Sequence, residues 1–162
     1  MTRLHPYWRM QYIKAPKPQG AHSPFRALWS SSDDRQNLIV YRGTHAFVIL
    51  NNSPYNAGHL MVLPNREVGQ LADLQPEERV ALLDLLIKAQ AVLTKVLNPG
   101  GFNIGLNLGK VAGAGIPSHL HFHIVPRWEG DQNFMPVIAE TQLLPQALDE
   151  LWVLLHAEFI KG

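Results

Sequence analysis

The pattern of apolar and polar positions changes character near residue 38. Residues 1–37 show no sustained periodicity, and "KAPKPQG" and "WSSSDDRQN" collect the proline, glycine and small polar residues that favour loops. This stretch is expected to be an irregular segment wrapped around a single domain that spans 38–162. Short apolar runs then follow closely. "LIVYRG" reads as a strand, and "HAFVILNN" and "HLMVLPN" as two more, linked by the turn-rich "NNSPYNAG". Such strands pair antiparallel across a short connection.

The period next shifts from two to 3.6. In "LQPEERVALLDLLIKAQAVLTKVLNPGG", Leu82, Leu83, Leu86, Ala89, Leu93 and Leu97 mark the apolar stripe of a long helix. Pro76 suits its first turn, Glu77 and Glu78 suit its positive end, and Asn98-Pro99-Gly100-Gly101 stops it. "FNIGLNLG" (102–109) returns to strand, "KVAGAGIPS" is a glycine-rich loop, "HLHFHIVPRW" is a further strand, and "ALDELWVLLHAEFI" (147–160) is a closing helix. The predicted class is α+β, a mainly antiparallel sheet with helices on one face.

Composition narrows the function classes. Hydrophobic residues are 46% and charged residues 17% of the 162, which is globular rather than disordered. A net charge of +1 with no run of lysines argues against a duplex nucleic-acid groove and leaves room for a small anionic ligand. With no cysteine there is neither a disulfide framework nor a thiolate metal site. "MTRLHPYWRM" lacks the apolar centre of a signal peptide, and no apolar run reaches the ~18–20 residues of a membrane span. A soluble cytoplasmic protein without membrane partners is the expectation.

The candidate chemistry lies in "SHLHFHIVPRW". Three of the eight histidines, His119, His121 and His123, fall at alternate positions. Side chains on a strand alternate faces, so the imidazoles share one face while Leu120, Phe122 and Ile124 share the other. On a helix the same spacing would splay them by ~200°. Aligned imidazoles can bind a metal, can supply a nucleophile with supporting groups, or can stand on a solvated face. Metal binding meets a geometric difficulty. Same-face neighbours on a strand sit ~6–7 Å apart at the backbone, so three in line converge poorly on one ion. No acidic residue lies between Asn98 and Arg127 to complete a set. The preceding "LGKVAGAGIPS" favours phosphate, since glycines let backbone amides approach an anion and Lys110 adds charge. A neutral imidazole attacks phosphorus to give a covalent phosphoramidate.

His-x-His-x-His followed by two apolar residues, here "HLHFHIV", resembles the signature of the histidine triad superfamily. "FVILNNSPYNAGHLMVLPNREV", "GFNIGLNLGKVAGAG" and "HLHFHIVPRWEGDQNFMPV" resemble the bacterial branch related to the fragile-histidine-triad proteins and diadenosine tetraphosphate phosphorylases, and "YWRMQYIKAPKPQG" resembles its N-terminus. The resemblance spans roughly residues 7–155. It implies a HIT-like fold: a five-stranded, mainly antiparallel sheet with a long helix and a C-terminal helix, usually in a homodimer. It also implies action at the α-phosphate of a nucleotide or dinucleoside polyphosphate through a nucleotidyl-histidine, as hydrolase or phosphorylase. No tightly bound cofactor is implied beyond a divalent cation accompanying the polyphosphate.

Residue by residue, the resemblance makes His121 the nucleophile, with His119 and His123 holding phosphate oxygens and tuning the nucleophile. His59 would brace the nucleophile from a neighbouring strand, Asn51 would contact the ribose, and Asn107 would lie near the scissile phosphate. Gly113, Gly115 and Ser118 fall in the phosphate loop. Bland readings stand beside these: His59 as a hydrogen-bonded core residue and Asn51 as a turn former, while Trp128 after "VPR" reads as core or dimer contact or else as the wall of a base pocket. Many relatives carry a zinc-ligating Cys-x-x-Cys where this chain has "AHSPF"; both cysteines are absent. His22 and His45 lie nearby without implying zinc, so packing or dimer contacts must hold the N-terminal segment. The rival functions are a catalytically slow nucleotide-binding module and a metalloprotein using the histidine strand.

Overall fold

The structure is a computed structural model and describes residues 22–131 and 147–161. In chain order these form α1 (Pro24–Ser30), β1 (Ile39–Arg42), β2 (Ala46–Leu50), β3 (Leu60–Pro64), a short 3-10 turn (Leu71–Asp73), α2 (Pro76–Leu97), β4 (Gly101–Leu106), β5 (Phe122–Arg127) and α3 (Leu148–Phe159). The five strands make one antiparallel sheet in the order β1-β2-β3-β5-β4.

The two-residue period sorts the sheet's side chains. Val48, Leu50, Leu60, Val62 and Ile124 face α2 and α3 and join Leu82, Leu86, Ala89, Leu93, Leu151 and Leu155 in the main core. The alternate residues Phe47, Ile49, Met61 and Leu63 turn the other way and meet Phe25 of α1. Both central strands are buried on both faces, which explains why "AFVIL" and "LMVLP" are continuously apolar.

Three expectations need correction. The segment before residue 38 contains α1, and this helix covers the sheet face opposite α2 and α3, so the helices are not confined to one side. Its start carries a local signal, Ser23 as N-cap followed by proline at the first position. In α2 the apolar stripe runs through Leu82, Leu85, Leu86, Ala89, Val92 and Leu93, while Leu83 is exposed. A continuous run of leucines leaves the phase of a stripe open, and packing against β2 and β3 sets it. Finally, β5 begins at Phe122, so His119 and His121 precede the strand.

The ends of α2 follow the expected chemistry. Pro76 opens it, the Glu78 carboxylate accepts the Gln75 backbone N–H at 2.8 Å, and Asn98 closes it in the left-handed region (φ 46°). The helix α1 is tied to the sheet by Arg42. This guanidinium donates to the carbonyls of Trp29 (2.6 Å) and Ser31 (2.7 Å) and to Asp34 (2.8 Å), and it lies over the Trp29 ring. Among the described residues, no helix is long and apolar enough to cross a membrane.

Candidate active site

The alternation survives beyond the strand. Leu120 and Ile124 are buried in the main core with Phe122 packed against it, and the three histidines project to the α1 side. One contact holds the segment before β5 in line and another holds β5 itself. Leu120 N–H donates to the Val68 carbonyl at 2.7 Å, and Met61 pairs with His123 across β3 and β5. His59, just before β3, comes to the same face.

Hydrogen bonds define which ring nitrogens carry protons. His121 Nδ1 lies 2.8 Å from the carbonyl of His119. A carbonyl only accepts, so Nδ1 holds the proton and Nε2 keeps the lone pair. His59 Nδ1 accepts the Tyr55 backbone N–H at 3.0 Å, so its Nε2–H donates to His123 Nδ1 at 2.9 Å. His119 Nε2 lies 2.8 Å from the Pro64 carbonyl and donates to it; its Nδ1 then accepts from the Ser23 hydroxyl at 3.1 Å.

Aromatic rings pack the cluster. Phe25 meets His119 edge-on with centroids 5.7 Å apart and lies 5.6 Å from His121. Tyr55 stacks on His59 at 4.8 Å, and His121 and His123 stand edge to face at 5.1 Å.

Burial favours the neutral form of His59, His119 and His121. It pushes His59 down to about 3, with repulsion from His123 and His121 adding to the effect. His121 and His119 are also lowered by burial, against the opposing pull of the carbonyls that each ring contacts. A neutral, oriented imidazole with a lone pair on Nε2 is the form a nucleophile requires.

Both nitrogens of His119 are engaged within the protein and the residue is 1% exposed, an arrangement that suits the expected tuning of His121 better than contact with a phosphate oxygen. His59 reaches His123 rather than His121.

The remaining candidates lie around this cluster. Asn51 accepts the Ser53 N–H at 2.9 Å and its amide lies 3.4 Å from His59 Nδ1, so it shapes the turn and borders the histidines at once. Asn107 directly follows β4, whose last residues pair with the triad strand, Gly105 with His123 and Leu106 with Phe122. Gly113 sits in the β4–β5 loop at φ +95°, a conformation that favours glycine, and its N–H donates to the Lys110 carbonyl at 3.0 Å. Gly115 is half-buried in that loop. Ser118 is exposed and faces the Glu67 carboxylate.

Nothing in the sequence alone singles out Ser23, Phe25, Tyr55 or Glu67 for the site. The Ser-Pro pair does signal a helix start, but nothing local to it points to the triad, 96 residues away. His22 is exposed near Glu67, and His45 is exposed on the β1–β2 turn. Among the described residues, no group of three or more histidine, aspartate and glutamate side chains is arranged to hold a metal ion.

Residues 33–130 match the HIT domain, a stretch that contains every histidine of this cluster. The chain belongs to the histidine triad family. Its relatives include the AP-4-A phosphorylase of Mycobacterium tuberculosis, 40% identical over 168 residues, covering 99% of this chain and 86% of that one. The asymmetrical bis(5'-nucleosyl)-tetraphosphatase of Schizosaccharomyces pombe is 38% identical over 106 residues, covering 65% of this chain and 58% of that protein. Among solved structures, the Caenorhabditis elegans NitFhit protein superposes with a TM-score of 0.61 at 32% identity, covering 74% of this chain and 27% of that one. The triad family's sheet and histidine row are thus both present.

Proposed function

We propose that this protein cleaves dinucleoside polyphosphates at the α-phosphate through a nucleotidyl-histidine on His121, and that inorganic phosphate resolves the intermediate. The observation that carries the reading is the His121 hydrogen bond, which commits Nδ1 to a carbonyl and leaves the lone pair on Nε2. Nε2 attacks the α-phosphorus, the bond to the bridging oxygen breaks, and the released nucleotide takes that bond's electron pair. A phosphate oxygen then attacks the same phosphorus, the P–N bond breaks, and its electrons return to Nε2. Diadenosine tetraphosphate would give ATP in the first step and ADP in the second.

Phosphorolysis is favoured over hydrolysis by coverage. The phosphorylase relative aligns with 99% of this chain, whereas the tetraphosphatase relative aligns with 65%. His123 and Asn107 are the groups proposed to contact phosphate oxygens, Gly113, Gly115 and Ser118 to border the phosphates, and Asn51 to border the ribose. A divalent cation arrives with the polyphosphate in this reading. The cytoplasm, which supplies nucleotide and phosphate together, is the compartment the reaction requires.

We also infer a homodimer. Among the described residues nothing pairs with the outer edge of β4, where Ile104 is exposed, and α2 exposes the stripe Val80, Leu83 and Ile87. Sedimentation equilibrium checks this: twice the monomer mass is expected, and monomer at micromolar concentration contradicts it.

The functional test is a product assay with and without inorganic phosphate. ADP and ATP in equal amounts only when phosphate is present support phosphorolysis. AMP and ATP regardless of phosphate would replace it with hydrolysis, and no turnover would favour a nucleotide-binding module.

A further inference from the structure

The face of His119 away from the reaction is built from buried polar contacts that the proposed chemistry does not use. Ser23 is 3% exposed, caps α1 by accepting the Phe25 N–H at 3.2 Å, and bonds to His119 Nδ1 through the same hydroxyl. Its backbone N–H donates to Glu67 at 2.6 Å. Burial works against ionisation of Glu67, but the Ser23 N–H outweighs it together with Ser118, His22 and His119, so the carboxyl stays below its ordinary range. Glu67 therefore stands between α1 and the chain entering the triad.

The backbone around it leaves little slack. A Cβ on Gly69 would lie 2.8 Å from the Pro117 carbonyl, and Leu120 bonds to Val68. Residues 67–69 and 117–120 are wedged together, with Ser23 plugged into their end. The consequence reaches the nucleophile. The ring of His119 is pinned from both sides, by Ser23 and by the Pro64 carbonyl, and the carbonyl of this same residue orients His121.

We propose that Ser23 and Glu67 are positioning residues of the reaction: they fix the ring and backbone of His119, and through its carbonyl the orientation of His121. Helix α1 is thereby a part of the active site and not only a cover for the sheet. This rests on His121 being the nucleophile. A helix held only for stability would need neither a buried hydroxyl aimed at an imidazole nor a carboxylate shared between two chain segments.

The test pairs removal with retention. Ser23→Ala removes the hydroxyl and Ser23→Thr keeps it; Glu67→Ala removes the acceptor and Glu67→Gln keeps it. Single-turnover formation of the nucleotidyl-enzyme should fall about fivefold to tenfold in each alanine variant, the effect of one lost hydrogen bond, with KM within about twofold. At least one of the retaining variants should recover the wild-type rate. Side-chain nitrogen NMR gives a readout independent of turnover: the Nδ1 resonance of His119 should shift in Ser23→Ala, and that of His121 should broaden or shift with it. Wild-type rates per folded molecule in both alanine variants, with His121→Ala inactive, would overturn the positioning role while leaving the nucleophile in place. Unchanged histidine resonances in Ser23→Ala would overturn it whatever the activity. Should wild-type protein fail to turn over, the reaction assignment falls and the resonances alone decide the brace.

Discussion

The two faces of the sheet are built from the same strands and do different work. On the face toward α2 and α3, Val48, Leu50, Leu60, Val62 and Ile124 pack among leucines. On the other face, Phe47, Ile49, Met61 and Leu63 form a smaller apolar cluster, and the four histidines of the site lie on that side with α1. Buried imidazoles are tolerated there because fixed partners satisfy them: Pro64 and Ser23 for His119, the His119 carbonyl for His121, Tyr55 and His123 for His59. One face therefore supplies stability through bulk burial, and the other supplies chemistry through directed hydrogen bonds. Substitutions of the leucines packed on the first should move stability without changing the chemistry, and those of the histidines on the second should change the chemistry most.

The sharpest break is at the proposed nucleophile. His121→Ala should lower turnover by about a thousandfold or more while nucleotide binding, followed by calorimetry, largely survives. Turnover within tenfold of wild type would dissolve the distinction between the faces. On the opposite face, Leu93→Ala removes a fully buried side chain and should cost about 2–5 kcal/mol by urea unfolding, with kcat per folded molecule unchanged. His59→Ala should lower kcat about tenfold, because it frees His123 from the hydrogen bond that orients it.

A subtler contrast comes from pH. His59 titrates at about 3 in the folded protein and near ~6.5 in the unfolded chain. Between these values the unfolded chain binds more protons, so stability is full above pH 6.5 and falls as pH drops toward 3. The urea midpoint should decline from pH 7 to pH 4, and less steeply in His59→Ala; equal slopes would contradict the assignment. The smallest effect belongs to the exposed pair of Arg35 and Asp149: Arg35→Ala should leave both the melting temperature and activity within experimental scatter.

Much of this division was legible in the sequence. The alternation in "HLHFHIV" separates Leu120, Phe122 and Ile124 from the histidines, and the structure keeps that separation although regular pairing starts only at Phe122. The long helix, its proline start and its Asn98 end were equally readable, because caps and breakers act within one turn. The phase of α2 was not, since "ALLDLLI" offers two overlapping stripes and only tertiary packing chooses between them. The partners of His119 and His59 are also hidden. An imidazole's job depends on what meets its two nitrogens, and the Ser23 hydroxyl and Pro64 carbonyl come from 96 and 55 residues away. No local pattern encodes such partners.

The account stands on a covalent bond between phosphorus and His121 Nε2. Rapid mixing with a dinucleoside tetraphosphate in phosphate-free buffer, an alkaline quench and peptide mass spectrometry test it most directly. The account predicts a nucleotidyl adduct on the peptide carrying His121, located at that residue by fragmentation, and discharged when phosphate is added before the quench. Turnover with no adduct, or an adduct on His123, would contradict it.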